Sequence, residues 1–563
     1  MYILETIALL IILGIIYDKY IQRDHQLLVN YPLIGRLRYV LEEVREPFRQ
    51  YFGDEKFFYS KDKLDWIYRA SRDVPTYTSF SPAQPLDRPK YLLKHSNRVY
   101  NIDEVDYDFG VTIGNHLPIP YISKSIIIRS AMSDGAISPE GTRAFAEGSY
   151  LGEFPINTGE GGLTSNFLIN HSSYDKGYVD IKESSKAQRT TKGWIRRLFN
   201  PHMSARYYRN AVLGNDKLAD TYIYNKDDPE YRFFRINWNA PIENFPKEVP
   251  ADVPDIIFQI SSGFYGVRDE DGKFDELKYQ KVMKFCKMTE IKIAQGAKQT
   301  GGKLMKDKVT SAIAYYRGIE EGKDVKSPNR FPYANSIPEL FDFVERLEKL
   351  SDKPVGIKIV ISNLSNIEPF AKEIQKRVKE GRSYPSFISV DGGDGGSATA
   401  PLEMMERIGL NIKNSIYLVD KILKEYDVRD KVKLIASGKI LTPDDIAIVL
   451  CLGADMVGLG RGFMMSAGCI RARYCSGTTG RQCPVGLATQ DIGKRKRFFV
   501  HKHSEHIKHY HMNLLKSLRE LIAVMGVKNI NDLNSDNLMY LDKDGKVYED
   551  MEQVFERKLK LKN

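Results

Sequence analysis

Short apolar runs, each closed by glycine or polar residues, recur from residue 121 onward: SIIIRSAM (125–132), FPINTGEGG (154–162), IIFQISSG (256–263), EIKIAQGAK (290–298), VGIKIVIS (355–362), FISVDGGDGG (387–396), KLIASG (433–438) and MVGLGRG (456–462). Runs of this length bounded by turn residues read as buried strands. Between several of them the apolar positions take a helical period. Ser336 and Glu339 form a capping-box pair ahead of Leu340, Phe343, Val344 and Leu347, Ser365 and Glu368 repeat the pattern, and Thr442-Pro443 opens another helix. Eight strands alternating with helices predict a (β/α)8 TIM barrel over residues 121–500, in which the polar groups ending each strand converge on one mouth. An open doubly wound sheet fits that strand count less well.

The rhythm breaks between the second and third runs. About ninety residues there, rich in Tyr, Arg, Lys and Asn, exceed a single helical connection, so 165–250 reads as an inserted subdomain near the mouth. Residues 26–120 alternate aromatic, charged and proline-bearing segments without a period and read as a packed N-terminal extension. After the barrel, 501–563 reads as a helical tail. Its first part holds five of the ten histidines, on a solvated face that leads into Leu514, Leu515, Leu518 and Leu521; metal binding is the minor alternative.

At the start, residues 1–25 hold an uncharged run from Thr6 to Tyr17, which Met1 to Leu4 lengthen if Glu5 lies at an interface. The run predicts a single membrane anchor, with an interfacial helix or a core helix as the other readings. No small-residue cleavage site follows it. Lys19 and Arg23 then put the body on the cytoplasmic face of the membrane.

Composition narrows the class. Hydrophobic residues at 42% and charged residues at 28% exclude wholesale disorder. The net charge of +10 is spread among both signs, without a basic helix or aromatic stripe, and so gives no nucleic-acid face. Five cysteines in 563 residues do not make a disulfide framework and fit a reducing compartment. Cys286 and Cys451 sit in apolar helical patterns as core residues.

Cys469, Cys475 and Cys483 instead cluster in CIRARYCSGTTGRQCP, with proline after the last. Three thiolates so spaced suit an iron–sulfur cluster better than zinc, whose structural sites close with four ligands; His501 could complete a zinc set, and three buried thiols are the non-metal reading. Ser437-Gly438-Lys439 and Gly460-Arg461 end the seventh and eighth strands, where barrels often hold a phosphate. Tight turns alone would also explain those glycines. Lys358 lies inside an apolar strand, which is costly without an anion nearby. An electron-rich flavin would serve. So would an ion pair with a strand-end carboxylate such as Asp391.

RSAMSDGAIS, INTGEGG, QISSG, KIAQGAK, the lysine of GIKIVIS, DGGDGGSATAP and CPVGLATQD, in that order over about residues 121–492, together resemble the FMN-binding synthase domain of glutamate synthases. The chain is most similar to the stand-alone, membrane-tethered branch, because it lacks the amidotransferase domain and the long β-helical domain of the large enzymes. The resemblance implies FMN held by Ala131, Met132, Ser133, Gln259, Lys358, Asp391, Gly392, Gly393, Ser437, Gly438, Gly460 and Arg461. It implies 2-oxoglutarate or its imine over the flavin, with Gln295, Lys298 and Arg317 on the carboxylates. Lys298, Glu160 and Lys358 are the implied catalytic residues, Glu160 being the one associated with flavin, cluster and channel. Cys469, Cys475 and Cys483 would bind a 3Fe–4S cluster. Three features depart from the family pattern: a longer loop between Cys475 and Cys483, AKQTGGKL in place of AKPGEGG, and the 165–250 insertion.

The expected activity is reduction of 2-iminoglutarate, formed from 2-oxoglutarate and ammonia, to L-glutamate, with electrons passing from the cluster to FMN and leaving as hydride. Without a glutaminase in the chain, ammonia comes from solution or a partner. Without a complete nicotinamide motif, a ferredoxin or a reductase subunit is the donor. The rival readings are an FMN oxidoreductase acting on a different amino or oxo acid at the membrane, and a non-catalytic flavoprotein scaffold.

Overall fold

The structure is a computed structural model of the 563-residue chain. It describes residues 2–22, 26–37, 40–41, 44, 48, 60–77, 90–168, 178–180, 234–236, 238, 241–251, 253–296, 301–477, 480–495 and 498–559. Two compact units divide it, Met1–Leu64 and Asp65–Asn563.

The first unit corrects the expected anchor. Its opening α-helix, Tyr2–Ile16, has 15 residues and widens into a π-helical turn over Tyr17–Ile21. At about 1.5 Å per residue that α-helix falls short of the roughly 30 Å of a hydrocarbon core. The widened turn carries Asp18, which is fully buried, accepts from Leu33 N at 3.0 Å and from Arg36 Nε at 2.9 Å, and forms an ion pair with Arg36. Hydropathy alone does not register that polar anchor point. No helix among the described residues is long and apolar enough to cross a membrane, so neither the membrane anchor nor the placement at a cytoplasmic membrane face stands.

In the second unit the eight glycine-ended runs are the eight strands of a closed barrel: β1 Ile127–Arg129, β2 Ile156–Asn157, β3 Ile256–Ile260, β4 Met288–Lys292, β5 Val355–Ile359, β6 Phe387–Asp391, β7 Lys433–Ser437 and β8 Met456–Leu459. Neighbours pair in parallel in chain order, and β8 returns to β1 through Gly458 opposite Ile128. Buried on both faces, these strands run nearly continuously apolar, as parallel barrel strands must. The charged exceptions are therefore informative.

Local chemistry starts the helices. Ser336 caps Ile337–Ser351 by accepting from Glu339 N at 3.2 Å, while the Glu339 carboxylate turns to Asn335 N at 3.0 Å, so the expected box is displaced by one residue. Ser365 does not cap Glu368–Glu380: Asn363 caps a short 3-10 turn over Leu364–Asn366 that comes first. Thr442 precedes Pro443–Cys451 as expected, its hydroxyl donating to Asp445 Oδ2 at 3.2 Å.

The flanking segments close on the barrel. Lys90–Leu93 pairs antiparallel with Leu538–Leu541, joining the extension to the tail. The helix Val500–Val524 packs against Pro139–Gly152 so closely that a Cβ on Gly148 would stand 2.6 Å from Ile507 Cγ2. Its histidines do not share one solvated face. His511 is buried, its Nε2 2.8 Å from Ser125 Oγ and its ring stacked on Phe154 at 4.4 Å. Of the interval expected to be an insertion, Tyr178–Asp180 pairs antiparallel with Phe234–Ile236, and residues 181–233 lie outside the described residues.

Candidate active site at the barrel mouth

Strand alternation puts Glu290 and Lys292 of β4 on one face, and register puts Lys292 opposite Lys358 of β5. Each buried lysine has a carboxylate. Lys292 Nζ donates to Glu160 Oε2 at 2.8 Å, and Lys358 Nζ stands 3.8 Å from Glu290 Oε1. Glu290 is the hub below: its Oε1 accepts from Gln259 Nε2 at 2.6 Å and Asn157 Nδ2 at 2.9 Å, its Oε2 from Ser389 Oγ at 2.5 Å. Ala131, Asn157, Glu290, Lys358, Ser389, Ser437 and Gly458 line one cavity inside the barrel. Lys358 is thus paired with Glu290; Asp391 instead accepts from Gly296 N at 2.8 Å and ties the β4 and β6 loops together.

Glu160 comes from the NTGEGG loop after β2. That loop needs glycine: Gly159 has φ +64°, and a Cβ there would stand 2.7 Å from Ser133 N. Burial pushes the Glu160 carboxyl up, but the neighbouring Lys292, a hydrogen bond from Ser261 and the Arg317 charge outweigh it and hold the group down at about 2. Burial holds Lys292 below the usual lysine range, with Glu160 opposing. Arg317 ends the helix Ser311–Arg317, which Thr310 caps. Its Nη2 donates to Ser133 Oγ and to Asp134 O, both at 3.2 Å, and its guanidinium lies 5.5 Å from the Tyr265 ring centre. Arg317 Nε is buried without a hydrogen-bond partner.

The loop after β1 is shaped from within, since buried Arg129 donates from Nη1 to Ser130 O at 2.9 Å and Met132 O at 3.1 Å. Met132 and Ser133 face the Gly159–Gly161 loop, as the close approaches at Gly159 and Gly161 record, while Ala131 lines the cavity. Gln259 joins the Glu290 hub. Gln295 is half-buried at the end of β4, and Lys298 lies outside the described residues.

The glycine-rich strand ends divide into two kinds. Gly392 N donates to Ser437 O at 2.8 Å and Gly393 N to Leu410 O at 2.7 Å, so these amides are committed to backbone. Gly438, at φ +127°, lets β7 turn against Gly392, where a Cβ would come 3.1 Å from its nitrogen. By contrast a Cβ on Gly460 would meet only Ser130 Cβ at 3.9 Å, and one on Gly396 only Arg461 Nη2 at 3.4 Å. Among the described residues Gly396 and Gly460 thus have free space at their Cα, with the Arg461 guanidinium beside Gly396.

Cys469 and Cys483 are buried and Cys475 is half-buried. Arg471 N donates to Cys469 Sγ at 3.4 Å, and Tyr68 Oη donates to Cys469 O at 3.1 Å. Burial pushes the Cys469 thiol up to about 11 and raises Cys475 too. The charge of Arg461 opposes that rise at both thiols, and the charge of Lys308 opposes it at Cys475. His501, the candidate fourth ligand, pairs with Glu147 at 2.9 Å. No group of three or more His, Cys, Asp or Glu among the described residues is drawn together tightly enough to hold one metal ion.

Sequence reasoning missed Glu290, Lys292 and Lys308. The first two had a signal, two charges two residues apart in a buried strand. Lys308 had none.

A closed parallel barrel with acid–lysine pairs at the C-terminal ends of its strands is a (β/α)8 enzyme in architecture. Residues 81–528 match the conserved region in glutamate synthase, and the chain belongs to that family. It is an oxidoreductase of glutamate synthase type, with FMN as the cofactor that goes with the family. Among its relatives, the glutamate synthase large subunit-like protein YerD of Bacillus subtilis is 29% identical over 570 residues, covering 93% of this chain and 92% of that protein. The ferredoxin-dependent glutamate synthase of Pyropia yezoensis is 31% identical over 50% of this chain and 17% of its own length. The archaeal glutamate synthase (NADPH) of Methanocaldococcus jannaschii is 32% identical over 52% of this chain, and the match spans only 54% of that relative. A chimeric (S)-mandelate dehydrogenase of known structure is 12% identical with a TM-score of 0.41, over 88% of this chain and 98% of that one.

Proposed function

We propose that the chain reduces 2-iminoglutarate, formed from 2-oxoglutarate and ammonia, to L-glutamate, using FMN and a 3Fe–4S cluster fed by a one-electron carrier such as a ferredoxin or by a reductase subunit. The observation that carries this reading is the buried Arg317 with an unpartnered Nε, whose charge helps to hold down the Glu160 carboxyl of the Glu160–Lys292 pair.

The residues fit the cofactor. Among the described residues Gly460 and Gly396 have free space at their Cα beside Arg461, the kind of backbone approach that a phosphate requires. Lys358, 3.8 Å from Glu290, lines the cavity wall, where its amino group would stabilise negative charge on a bound isoalloxazine. For the cluster the donor chemistry fits: three thiols, an N–H on Cys469 Sγ and cations from Arg461 and Lys308. Ligands of a multi-iron cluster bind different irons, so they need not close around a single ion.

Bound FMN would supply hydride transfer and the cluster one-electron transfer. The chain supplies the rest. Arg317 offers a donor in a dry setting under Tyr265, suited to a carboxylate. Lys292 Nζ holds a proton against Glu160 at the mouth, and the family resemblance gives the remaining carboxylate contacts to Gln295 and to Lys298, the latter outside the described residues.

A second reading, a different oxo acid with the same cofactors, is favoured by one observation: a Cβ on Gly302 in the altered AKQTGGKL loop would stand 1.5 Å from Glu160 Oε1, so this loop presses directly on the site. Stopped-flow reoxidation of the reduced protein separates the readings. Fast reoxidation by 2-oxoglutarate plus ammonium is expected. A preference for another oxo acid moves the assignment to the second reading, and no reoxidation by any member of the panel leaves a non-catalytic flavoprotein.

A further inference from the structure

Lys308 follows the loop after β4, in the 3-10 turn Lys306–Lys308, and is 8% exposed. Its Nζ donates to Cys475 O at 2.7 Å, Ala488 O at 3.1 Å and Ala136 O at 3.2 Å. An ammonium has three donors, and here all three meet carbonyls from separate segments. Ala136 belongs to the loop after β1, which carries Ala131 to Ser133. Cys475 is the middle thiol, and Ala488 lies in the stretch after Cys483.

Two of those segments, the loop after β1 and the stretch after Cys483, are strapped together around this point. Ser138 N donates to Leu487 O at 2.9 Å, Gln490 Nε2 donates to Gly135 O at 3.1 Å and Ile137 O at 3.0 Å, and Arg495 pairs with Glu140, both almost wholly buried. Lys308 adds a charge to that junction. Among the described residues no carboxylate pairs with this buried amino group, which is costly; burial lowers its pKa, and the thiols of Cys475 and Cys483 oppose that shift.

We propose that Lys308 is a positioning residue for electron entry: it locks the cysteine loop to the loop after β1 and sets one positive charge at Cys475, within that loop. The inference rests on the cluster reading for its electrostatic half and on geometry alone for its positional half. A positive charge next to a cluster favours the reduced state, because cluster potentials follow local charge and hydrogen bonding.

The test uses the full-length protein purified without oxygen, as wild type, Lys308→Met and Lys308→Arg. Hydrogen–deuterium exchange of peptides across 470–490 reads the positioning, and a spectroelectrochemical titration reads the potential. In Lys308→Met, exchange is expected to rise at least tenfold, and the reduction equilibrium to fall about tenfold, roughly 59 mV for one electron. In Lys308→Arg, exchange rises because a planar guanidinium cannot gather three carbonyls at one atom, while the potential stays near wild type. Unchanged exchange in both variants overturns the positional role, and an unchanged potential in Lys308→Met overturns the electrostatic one. If Lys308→Met fails to fold, the exchange of Lys308→Arg decides the positional role. A wild-type protein without iron and acid-labile sulfide refutes the cluster reading and the electrostatic half with it, while the exchange measurement still decides the positional half.

Discussion

Glu160 Oε2 and Lys292 Nζ meet at 2.8 Å across the barrel mouth, and two residues earlier on the same strand Glu290 stands 3.8 Å from Lys358. Two cations and two anions thus share a buried space, and each pair makes the other tolerable. Removing one partner leaves its opposite number uncompensated, which costs more than the pair gains over an apolar replacement.

Glu160→Gln should therefore destabilise the fold at neutral pH by about 3 kcal/mol, the lower end for breaking a buried pair, since Glu160 keeps some exposure. The folded carboxyl is held down at about 2, below the ordinary unfolded value of about 4.3. Its stabilisation is present above the unfolded value and is lost as pH falls toward 2. Urea unfolding of both proteins at pH 7, 5, 4 and 3 checks this: the gap should hold between pH 7 and 5 and narrow below it. A gap that widens in acid would reverse the assignment.

Glu290 and Lys358 should behave as a unit. Lys358→Met alone and Glu290→Gln alone are each expected to lose stability, and the double variant should lose less than their sum, with a coupling of about 1–3 kcal/mol. Lys358→Met should in addition weaken FMN binding by roughly tenfold or more, about one charge-assisted contact. Denaturant titration gives the cycle, and fluorescence on FMN release gives the affinity. Strict additivity would mean that the 3.8 Å separation carries no interaction.

The barrel was legible because parallel strands covered on both faces must read as apolar runs ended by turn residues, and all eight did. Lys358 was legible for the same reason, as a charge in such a run, but its partner was not: Asp391 is near in strand order, whereas Glu290 faces it through the register of β4 against β5. The run TEIKI nonetheless carries its own signal, since charges two apart in a buried strand point the same way. Lys308 leaves no trace in the sequence, because its three carbonyls come from residues far apart in the chain. The N-terminal run misled for a related reason: hydropathy counts side chains, and the helix end is decided by Asp18 meeting Arg36 and Leu33.

Arg317→Lys should separate binding from cofactor retention. The guanidinium reaches Ser133 and Asp134 through Nη2 and keeps Nε for a ligand, a geometry that an ammonium cannot copy. The expected result is a KM for the oxo acid raised about ten- to hundredfold, one lost charge-assisted hydrogen bond, with the flavin spectrum unchanged. Loss of flavin instead would assign Arg317 to the cofactor.

His511 offers a test of the packing that supports the site from behind. Burial between Phe154 and Ser125 pushes its imidazole down to about 3 from an ordinary 6.5, so the folded protein keeps it neutral where the unfolded chain would protonate it. A histidine with a depressed value costs nothing above the unfolded value and removes stability progressively as pH falls from about 6.5 toward 3, at up to 1.4 kcal/mol per pH unit. His511→Phe keeps the stacking on Phe154 and removes the proton site, at the expense of the 2.8 Å contact with Ser125. It should be less stable than wild type at pH 8, by about 1 kcal/mol for the lost hydrogen bond, yet lose less stability between pH 6.5 and pH 5, so that the two unfolding curves converge. Glu160 does not confuse the result, because its own contribution changes only below that range. Parallel pH profiles for the two proteins would mean that His511 takes up its proton without unfolding, and that the space behind Phe154 admits water.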